Sequence, residues 1–428
     1  MIGDKRGASA EKMPPHFREE RQPSVEIVVC QKKIRTPPFQ RRENQRGNQQ
    51  ALSQQNQITG LLIDSLSRFW RNHRGSIRIY LVARKPQKSL FDLPVLDLAH
   101  ILRDAAAELE ELRGKSLFLT GGTGFFGKWL LAGLCQADAE LGLGLRLTAL
   151  SRDPASFLRR HPEAAAVPAL RFEQGHVADF PLADQRHDYI LHAAADTTDI
   201  TTDADERERS RAIVAGTRHV LDLARKSGAR RLLHVSSGAV YGACAGRPSG
   251  AKEDDDAPAQ PLIPYGEAKW DAERLCGESG LDFVTARAFA FLGPYLPLDA
   301  HFAAGNFLRD ARRGGPILVR GDGTALRSYL YPADLVVWLL RILLRGQRAR
   351  AYNVGSDEAV TTAQLARRIA DAVRPATQVV IQSVQPHGPQ NIYLPDIHRA
   401  RAELNLDVAI PLQDAIARTL AFLEIRSS

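Results

Sequence analysis

A tyrosine and a lysine four positions apart, Tyr265 and Lys269 in the segment YGEAK, could carry out acid–base chemistry. On a helix this spacing places both side chains on one face. A phenol has a pKa of about 10, and lowering it by ~3 requires ~4 kcal/mol of preferential stabilisation, to which a neighbouring ammonium can contribute. Upstream, the segment HVSSGAVYG places Ser237 at the end of an apolar run, where its hydroxyl could hydrogen-bond the substrate oxygen that also contacts the tyrosine. We therefore expect a general base, Tyr265, assisted by Lys269 and Ser237.

A second feature is the segment LTGGTGFFGKW, which crowds four glycines into seven positions between an apolar run and a helix-like segment. After a strand and before a helix, this spacing is typical of a turn that binds the pyrophosphate of a dinucleotide. Gly121 would allow the turn, Gly124 the approach of the pyrophosphate, and Gly127 the close packing of the helix. The helix N-terminus would supply amide donors to the anion. A nicotinamide dinucleotide bound here would bring a second positive group to the tyrosine.

The end of the second strand discriminates between the two nicotinamide cofactors. An acidic residue there binds the ribose 2′-hydroxyl, whereas a basic residue accommodates a 2′-phosphate. The segment LTALSRDP places Ser151 and Arg152 at this point, with Asp153 directly after them. Arg152 favours NADP, and an exposed arginine beside an aspartate that serves NAD stays open as the alternative.

Strand-like and helix-like segments alternate through the middle of the chain and must position these residues. The helix-like segments include 207–226, 265–278 and 332–344, and the strand-like ones are 116–120, 146–150, 170–176, 189–194, 231–236 and 283–288. Continuous rather than alternating hydrophobicity in the strands is typical of a parallel sheet covered on both faces. We therefore predict an α/β fold: a Rossmann-type doubly wound parallel sheet over residues 93–290. A smaller C-terminal α/β substrate lobe is expected over residues 291–428, interleaved with it.

Charge divides the chain in two. Residues 1–92 contain 18 Lys or Arg and 8 Asp or Glu, whereas residues 93–428 contain 39 and 41, so the basic character belongs to the first segment alone. Its Arg-, Gln-, Asn- and Pro-rich composition predicts a largely disordered extension, favoured to be a dispensable tail or an extended translation start. An arm that binds nucleic acid or a membrane surface is the alternative for this segment only. The four cysteines are widely spaced and predict neither a metal site nor disulfides. No apolar run approaches the ~20 residues of a membrane span, and a cytoplasmic protein is expected.

Five motifs in order resemble the extended short-chain dehydrogenase/reductase family, which contains nucleotide-sugar epimerases and dehydratases: TGGTGFFG, HAAA at 192–195, SSGAVYG, YGEAK and GDGTALRSYLYPADL. The resemblance runs from about Lys115 to Asn353. It implies a nucleotide diphosphate sugar as substrate and a homodimer, usually formed through two helices per subunit. In such enzymes Tyr265 would be the general base, Lys269 would lower its pKa and hold the nicotinamide ribose, and Ser237 would hydrogen-bond the reacting hydroxyl.

The resemblance also implies further binding residues. Arg327, in a stretch resembling GDGxxxR, would bind the substrate diphosphate, with a surface salt bridge as the alternative. Asn306 and Phe307 would flank the nucleotide, and Asn353, Val354 and Gly355 resemble a late structural turn. The residues expected to bind the cofactor, besides Tyr265 and Lys269, are Gly121, Thr123, Gly124, Phe125, Phe126, Gly127, Ser151, Arg152, His176, Val177, Ala193, Ala194 and Ala195.

Departures from the family pattern narrow the chemistry. The sugar 4,6-dehydratases carry an Asp-Glu pair where this chain has Gly238 and Ala239, and the sugar-acid decarboxylases carry a glutamate at the second position. Neither residue here can move a proton, which disfavours both reactions and favours 4-epimerisation through a transient keto sugar, or reduction of a keto sugar. His176 replaces a usual acidic residue and Ile213 a frequent asparagine. A cofactor-binding sensor or scaffold without catalysis therefore remains the alternative of another class.

Overall fold

The computed structural model describes residues 89–182, 184–194, 202–242, 248–255, 263–300, 302–373, 375–383 and 391–425. The chain divides into two units, of which the first, Met1–Gln87, lies outside the described residues, and with it most of the predicted basic extension. Residues 89–92, the end of that extension, are described and belong to the core, because Leu90 and Phe91 are buried. Ala195, Cys30 and Cys244 also lie outside the described residues.

Twelve strands are present in the described part of the chain. In chain order they are β1 Ser116–Thr120, β2 Arg146–Ser151, β3 Leu170–Gln174, β4 Tyr189–His192, β5 Arg231–Ser237, β6 Phe283–Ala288, β7 Ile317–Val319, β8 Leu326–Arg327, β9 Ala351–Val354, β10 Val360–Thr361, β11 Val379–Ile381 and β12 Ile392–Tyr393. All six predicted strands are found, with 170–176 and 189–194 each ending two residues earlier than predicted.

Seven strands form a parallel sheet in the order β3-β2-β1-β4-β5-β6-β9. The predicted doubly wound parallel sheet is therefore confirmed. The strand order reverses at β1, which pairs with both β2 and β4, and ligands of such sheets bind in the crevice at this reversal. The seventh strand, β9, comes from beyond residue 290, so the C-terminal part of the chain contributes to the central sheet. Asn353 and Val354 lie in this strand, and their prediction as a turn was wrong.

Eleven α-helices connect and cover the described strands. They are α1 Val95–Asp104, α2 Ala106–Glu111, α3 Phe125–Leu141, α4 Pro154–Arg160, α5 Asp203–Ser227, α6 Pro264–Glu278, α7 Ala303–Arg312, α8 Pro332–Arg345, α9 Thr362–Ala372, α10 His398–Leu404 and α11 Leu412–Ile425. Local signals explain several boundaries: α5 begins with a capping box of Thr202 and Asp205, and it ends at Gly228, whose φ is 65°. None of the described helices is long and apolar enough to cross a membrane.

The elements after residue 290 also build two small sheets, β10-β8-β12 and β11-β7. The helix α8, apolar and almost fully buried, packs on the central sheet, while α1 packs against α8. Buried polar pairs hold α1 in place: the hydroxyl of Tyr331 donates to Asp97 at 2.6 Å, and His100 Nε2 lies 2.7 Å from Asp334 Oδ1. The chain therefore brings β5, β12 and the start of α6 together near the crevice of the sheet.

Candidate active site

The structure brings the three predicted catalytic residues to one place at the carboxyl end of β5. Ser237 ends this strand and is 7% exposed, and Tyr265 lies in the first turn of α6, where hydrogen bonding by the Ser237 hydroxyl acts to lower the pKa of the phenol. Lys269 lies one helical turn further on, where it is buried and its Nζ donates to the carbonyl oxygen of Val235 at 2.9 Å. The ammonium thus holds α6 against β5, so that the phenol and the serine hydroxyl meet.

Burial governs the acid–base properties of this group. It raises the pKa of Tyr265 above its ordinary value, against the opposing effects of the Ser237 hydrogen bond and of the positive charge of Arg209. Burial also lowers the pKa of Lys269 to about 8, against the opposing charge of Glu273. Lys269 was predicted to lower the pKa of Tyr265, but in the protein alone the opposing positive charge is that of Arg209, and the desolvation of the phenol outweighs it. A bound nicotinamide would have to contribute the remaining stabilisation of the phenolate.

The glycine turn after β1 has the close contacts expected of a dinucleotide site. Gly121 has a φ of 74°, and a Cβ there would lie 2.8 Å from the carbonyl oxygen of Ala193. Gly124 is exposed at the start of α3. A Cβ on Gly127 would lie 2.2 Å from the carbonyl oxygen of Gly121, so the helix contacts the turn itself. Because α3 directs its N-terminal amides at this turn, the residues present fit the diphosphate of a dinucleotide.

Gly127→Ala is expected to weaken cofactor binding by about tenfold or more. The added methyl group would overlap backbone atoms of the glycine turn, which cannot move aside as the end of a flexible side chain could. Isothermal titration with the dinucleotide measures the loss. Gly142→Ala would not serve as a control, because its φ is 59°, whereas Gly277→Ala in α6 meets no atom within 4 Å and is expected to bind normally. Equal affinities for the Gly127 and Gly277 variants would contradict the role of the turn.

A chain of hydrogen bonds fixes the end of β4 beside this turn. The amide of Ala194 donates to Thr120 Oγ1 at 3.0 Å, and that hydroxyl lies 2.8 Å from His192 Nδ1. On the other side, His192 Nε2 lies 3.0 Å from Thr217 Oγ1, which donates to the carbonyl oxygen of Ile213. These partners assign the proton of the His192 ring to Nε2 and leave Nδ1 as an acceptor, so the ring is neutral. Burial, which lowers the pKa of His192 to about 3, agrees with this assignment. The motif HAAA therefore positions the backbone of β4 against Gly121.

Ile213 replaces the asparagine frequent in the family, and its side chain has a packing role. It is buried with Ala268 and Ala272 of α6, and the ring of Tyr265 packs against the same cluster. The substitution therefore adds an apolar contact between α5 and α6 behind the tyrosine.

The end of the crevice at which the sequence predicts binding of the adenosine is formed by the ends of β2 and β3. Arg152 is exposed directly after the buried Ser151. The carboxylate of Asp153 accepts a hydrogen bond from the amide of Ser156 at 2.8 Å and so caps α4. His176 is exposed after β3, and Val177 packs towards Gly216, where a Cβ would lie 2.8 Å from its Cγ1.

Sequence reasoning missed Tyr393, which lies in β12, far along the chain. Its hydroxyl is 3.4 Å from Ser237 Oγ, and its ring contacts that of Phe289 at 4.8 Å. A Cβ added to Gly238 would lie 2.8 Å from the Tyr393 hydroxyl and 2.7 Å from the ring of Phe289. These two rings thus take the space next to Gly238. The segment NIYLPD carried no signal for this, because only the folded chain brings β12 to β5.

The three predicted substrate residues differ in their surroundings. Arg327 is half-buried in β8, and its Cζ lies 5.7 Å from the ring centroid of Tyr393, which links it to the site. Its Nη1 donates to the carbonyl oxygen of Asn391 at 3.0 Å. Asn306 lies on α7, and its Oδ1 accepts a hydrogen bond from Arg309 at 2.9 Å. Phe307 is 3% exposed and therefore packs in the core of the lobe.

Comparisons with known proteins agree with this architecture. Residues 117–355 match the family model described as the NAD dependent epimerase/dehydratase family. A dTDP-glucose 4,6-dehydratase of Streptomyces niveus is 26% identical over 71% of this chain and 91% of its own length. UDP-glucuronic acid decarboxylase 6 of Arabidopsis thaliana is 28% identical over 70% of this chain and 86% of its own length.

A solved structure agrees at the level of the fold. It is a UDP-glucose 4-epimerase from Thermotoga maritima with UDP-glucose, which is 20% identical and superposes with a TM-score of 0.61 over 73% of this chain and 100% of that chain. The family match spans the glycine turn, the end of β5 and the start of α6, where the site residues lie. This protein belongs to the NAD dependent epimerase/dehydratase family of enzymes.

Proposed function

We propose that this enzyme is a nucleotide-sugar 4-epimerase that works through a transient keto sugar. The observation that supports this most directly is the crowding at Gly238. Phe289 and Tyr393 occupy the space into which a side chain at that position would project, so a carboxylate there would have to displace both rings. The family's dehydratases and decarboxylases need an acidic residue at this position or the next, and here the next is Ala239. The groups beside Ser237 that can move a proton are then the phenols of Tyr265 and Tyr393, and of these Tyr265 is the one that the YGEAK segment pairs with a lysine.

The residues support the following division of work. NAD, when bound, supplies the hydride acceptor and donor. Tyr265, as phenolate, takes the proton of the sugar 4-hydroxyl and later returns it, while Ser237 hydrogen-bonds the same oxygen. Lys269, buried one helical turn after Tyr265, ties α6 to β5 through the carbonyl oxygen of Val235 and adds positive charge. Arg327 would bind the diphosphate, with its planar guanidinium suited to phosphate oxygens.

Reduction of a 4-keto sugar is the second candidate, because it uses the same residues once and in one direction. Arg152 favours a 2′-phosphorylated cofactor, and binding of that cofactor would favour the reductase. The Asp153 carboxylate, which would otherwise bind a ribose 2′-hydroxyl, instead caps α4. The relatives named as a dehydratase and a decarboxylase share the fold and the cofactor site, so their activities belong in the same test.

The test is a panel of uridine and thymidine diphosphate sugars incubated with the purified enzyme, with products identified by NMR. Interconversion of 4-epimers without net oxidation of cofactor supports the epimerase. Stoichiometric consumption of reduced cofactor with a keto sugar would transfer the assignment to the reductase. A 4-keto-6-deoxy product, or release of CO₂ from a sugar acid, would overturn both, and cofactor binding without turnover of any sugar would support a sensor or scaffold.

NADP preference is expected to depend on Arg152. Arg152→Ala should weaken NADP binding by about tenfold or more, because a hydrogen bond to a charged phosphate contributes ~1.5–3 kcal/mol, while NAD binding changes little. The ratio of the two dissociation constants is the measurement. Arg159→Ala, on the exposed side of α4, is the matched control and should leave the ratio unchanged. An unchanged ratio in the Arg152 variant would assign the site to NAD.

Three expectations stay predictions: a homodimer, nucleic-acid binding by residues 1–92, and a cytoplasmic location. Light scattering of the purified protein tests the first. Comparison of the full-length chain with one lacking residues 1–88, which keeps the buried Leu90 and Phe91, in salt-dependent retention on DNA and RNA tests the second. Microscopy of the tagged full chain tests the third.

A further inference from the structure

A guanidinium group lies over the ring of the candidate general base. Arg209, two turns into α5, has its Cζ 4.7 Å from the centroid of the Tyr265 ring. The arginine side chain is only 13% exposed. A cation at this distance from an aromatic face is attracted by the ring, more strongly when both groups are withdrawn from water. The contact joins the helix that carries no catalytic residue to the one that carries two.

Several contacts hold this arginine in place. Its Nη2 lies 3.1 Å from Glu206 Oε1, one turn earlier on α5. The next residue, Ser210, donates from its hydroxyl to the carbonyl oxygen of Pro264 at 3.3 Å, which ties α5 to the first residue of α6. The buried cluster around Ile213 continues the contact between the two helices. Arg209 is therefore positioned by both its own helix and the interface.

The charge of Arg209 is only partly neutralised. Within the described residues its Nε has no hydrogen-bond partner, and Glu206 contacts one end of the guanidinium only. The other cation of the site, Lys269, directs its Nζ at the carbonyl oxygen of Val235. The ring of Tyr265 thus has one cation against its face, and the other cation of the site, one helical turn further along α6, is held by the backbone of β5.

We propose that Arg209 is a positioning residue that stabilises the phenolate form of Tyr265 and orients its ring towards Ser237. This inference rests on the proposed function, in which Tyr265 is the general base. Ionisation places a full negative charge on the phenol oxygen and enriches the ring in electrons, so a cation over the ring favours the phenolate over the neutral phenol. The family pattern stated from the sequence assigns this task to the lysine of YGEAK alone, whereas here an arginine from α5 shares it.

The direction of the effect follows from the active form. The deprotonated phenol is the base, so turnover rises with pH through the pKa of Tyr265, and a cation that lowers this pKa extends activity to lower pH. Removal of the cation moves the rising limb to higher pH. The other charged and titratable groups around the site are Glu206 on α5, which pairs with Arg209; Lys269 and Glu273 on α6; His234 on β5 and His192 on β4, whose pKa values the charge of Lys269 lowers; and Tyr393 on β12, whose hydroxyl lies 3.4 Å from Ser237 Oγ. His192 and His234 stay neutral, because burial lowers the pKa of both.

The deciding measurement follows the ionisation of Tyr265 directly and requires no sugar; turnover is a second readout for any sugar that the panel identifies as a substrate. The NAD-loaded full-length enzyme is labelled with ¹³C at Cζ of tyrosine and titrated by NMR, and Tyr265→Phe identifies the resonance among the nine tyrosines. Arg209→Met retains the length of the side chain without its charge. It is expected to move the midpoint to higher pH and to lower turnover on the acid limb by about tenfold. Arg209→Lys should recover part of the shift, and Glu206→Gln should move the midpoint the opposite way.

Arg211→Met is the matched control, because Arg211 is on the same helix, is 76% exposed, and pairs with Glu208 at 3.7 Å. Its midpoint should equal that of the unmodified enzyme. Equal midpoints for Arg209→Met, Glu206→Gln and the unmodified enzyme, all folded by circular dichroism, would overturn the inference. If no sugar of the panel turns over while the midpoint still shifts, the proposed function fails and the role of Arg209 stands.

Discussion

Tyr265→Phe is expected to lower turnover of the nucleotide sugar by about 10²–10⁴-fold, the usual contribution of a positioned acid–base group. In the proposed function the phenol exchanges a proton with the sugar hydroxyl, while Ser237 is followed in the chain by Gly238 and Ala239, neither of which can act as a base. The ring of the phenylalanine would keep the contacts with Arg209 and with the Ile213 cluster. Cofactor affinity, measured by titration, should therefore change little.

Tyr295→Phe is the matched control for the loss of a phenol hydroxyl. The hydroxyl of Tyr295 donates to the carbonyl oxygen of Phe91 at 2.8 Å, outside the Ser237 group. Removing this one hydrogen bond is expected to cost about 1 kcal/mol of stability and to leave turnover unchanged. A Tyr265 variant with the turnover of the Tyr295 variant would show that another group is the base.

Glu273→Gln is expected to lower the free energy of unfolding by about 3–5 kcal/mol, because it leaves a buried guanidinium without its counter-charge. Glu273 on α6 receives hydrogen bonds from Arg287 of β6, with Nη2 at 2.8 Å from Oε2, and the two side chains are 10% and 7% exposed. Arg287 also donates to the hydroxyl of Tyr241, which in turn donates to Asn353 of β9. The pair therefore links the helix of the candidate base to two strands of the sheet, and urea unfolding measures the loss.

Glu278→Gln provides the control on the same helix. Glu278 is 67% exposed and its oxygen lies 3.6 Å from Arg274, so the substitution should cost less than about 0.5 kcal/mol. Similar losses for the two variants would mean that the Glu273–Arg287 pair adds nothing beyond a surface contact. The Glu273 variant has a further consequence at the site: the negative charge of Glu273 raises the pKa of Lys269, so its removal should lower that pKa further.

The predictions that depended on patterns among neighbouring residues of the chain were confirmed. The six predicted strands, the helices at 207–226, 265–278 and 332–344, and the glycine turn between β1 and α3 are all present in the fold. Each is encoded by residues that are neighbours in the chain: a buried apolar run, a helical period, a cap or a glycine. The strand β9 was not predicted, because its four residues, AYNV, have no local pattern that distinguishes a strand from a loop. Only the pairing with β6 makes them a strand.

The sequence by itself determined the class of fold, the turn for the dinucleotide and the serine, tyrosine and lysine of the candidate site, because these follow from local patterns at the ends of strands. Only the tertiary structure decided what surrounds the phenol. Arg209 reaches it from α5, and Tyr393 and Phe289 close the space at Gly238 from strands or loops far along the chain. Such contacts depend on how separate elements pack, and burial then sets the pKa values of the groups enclosed, which no spacing of residues along the chain expresses.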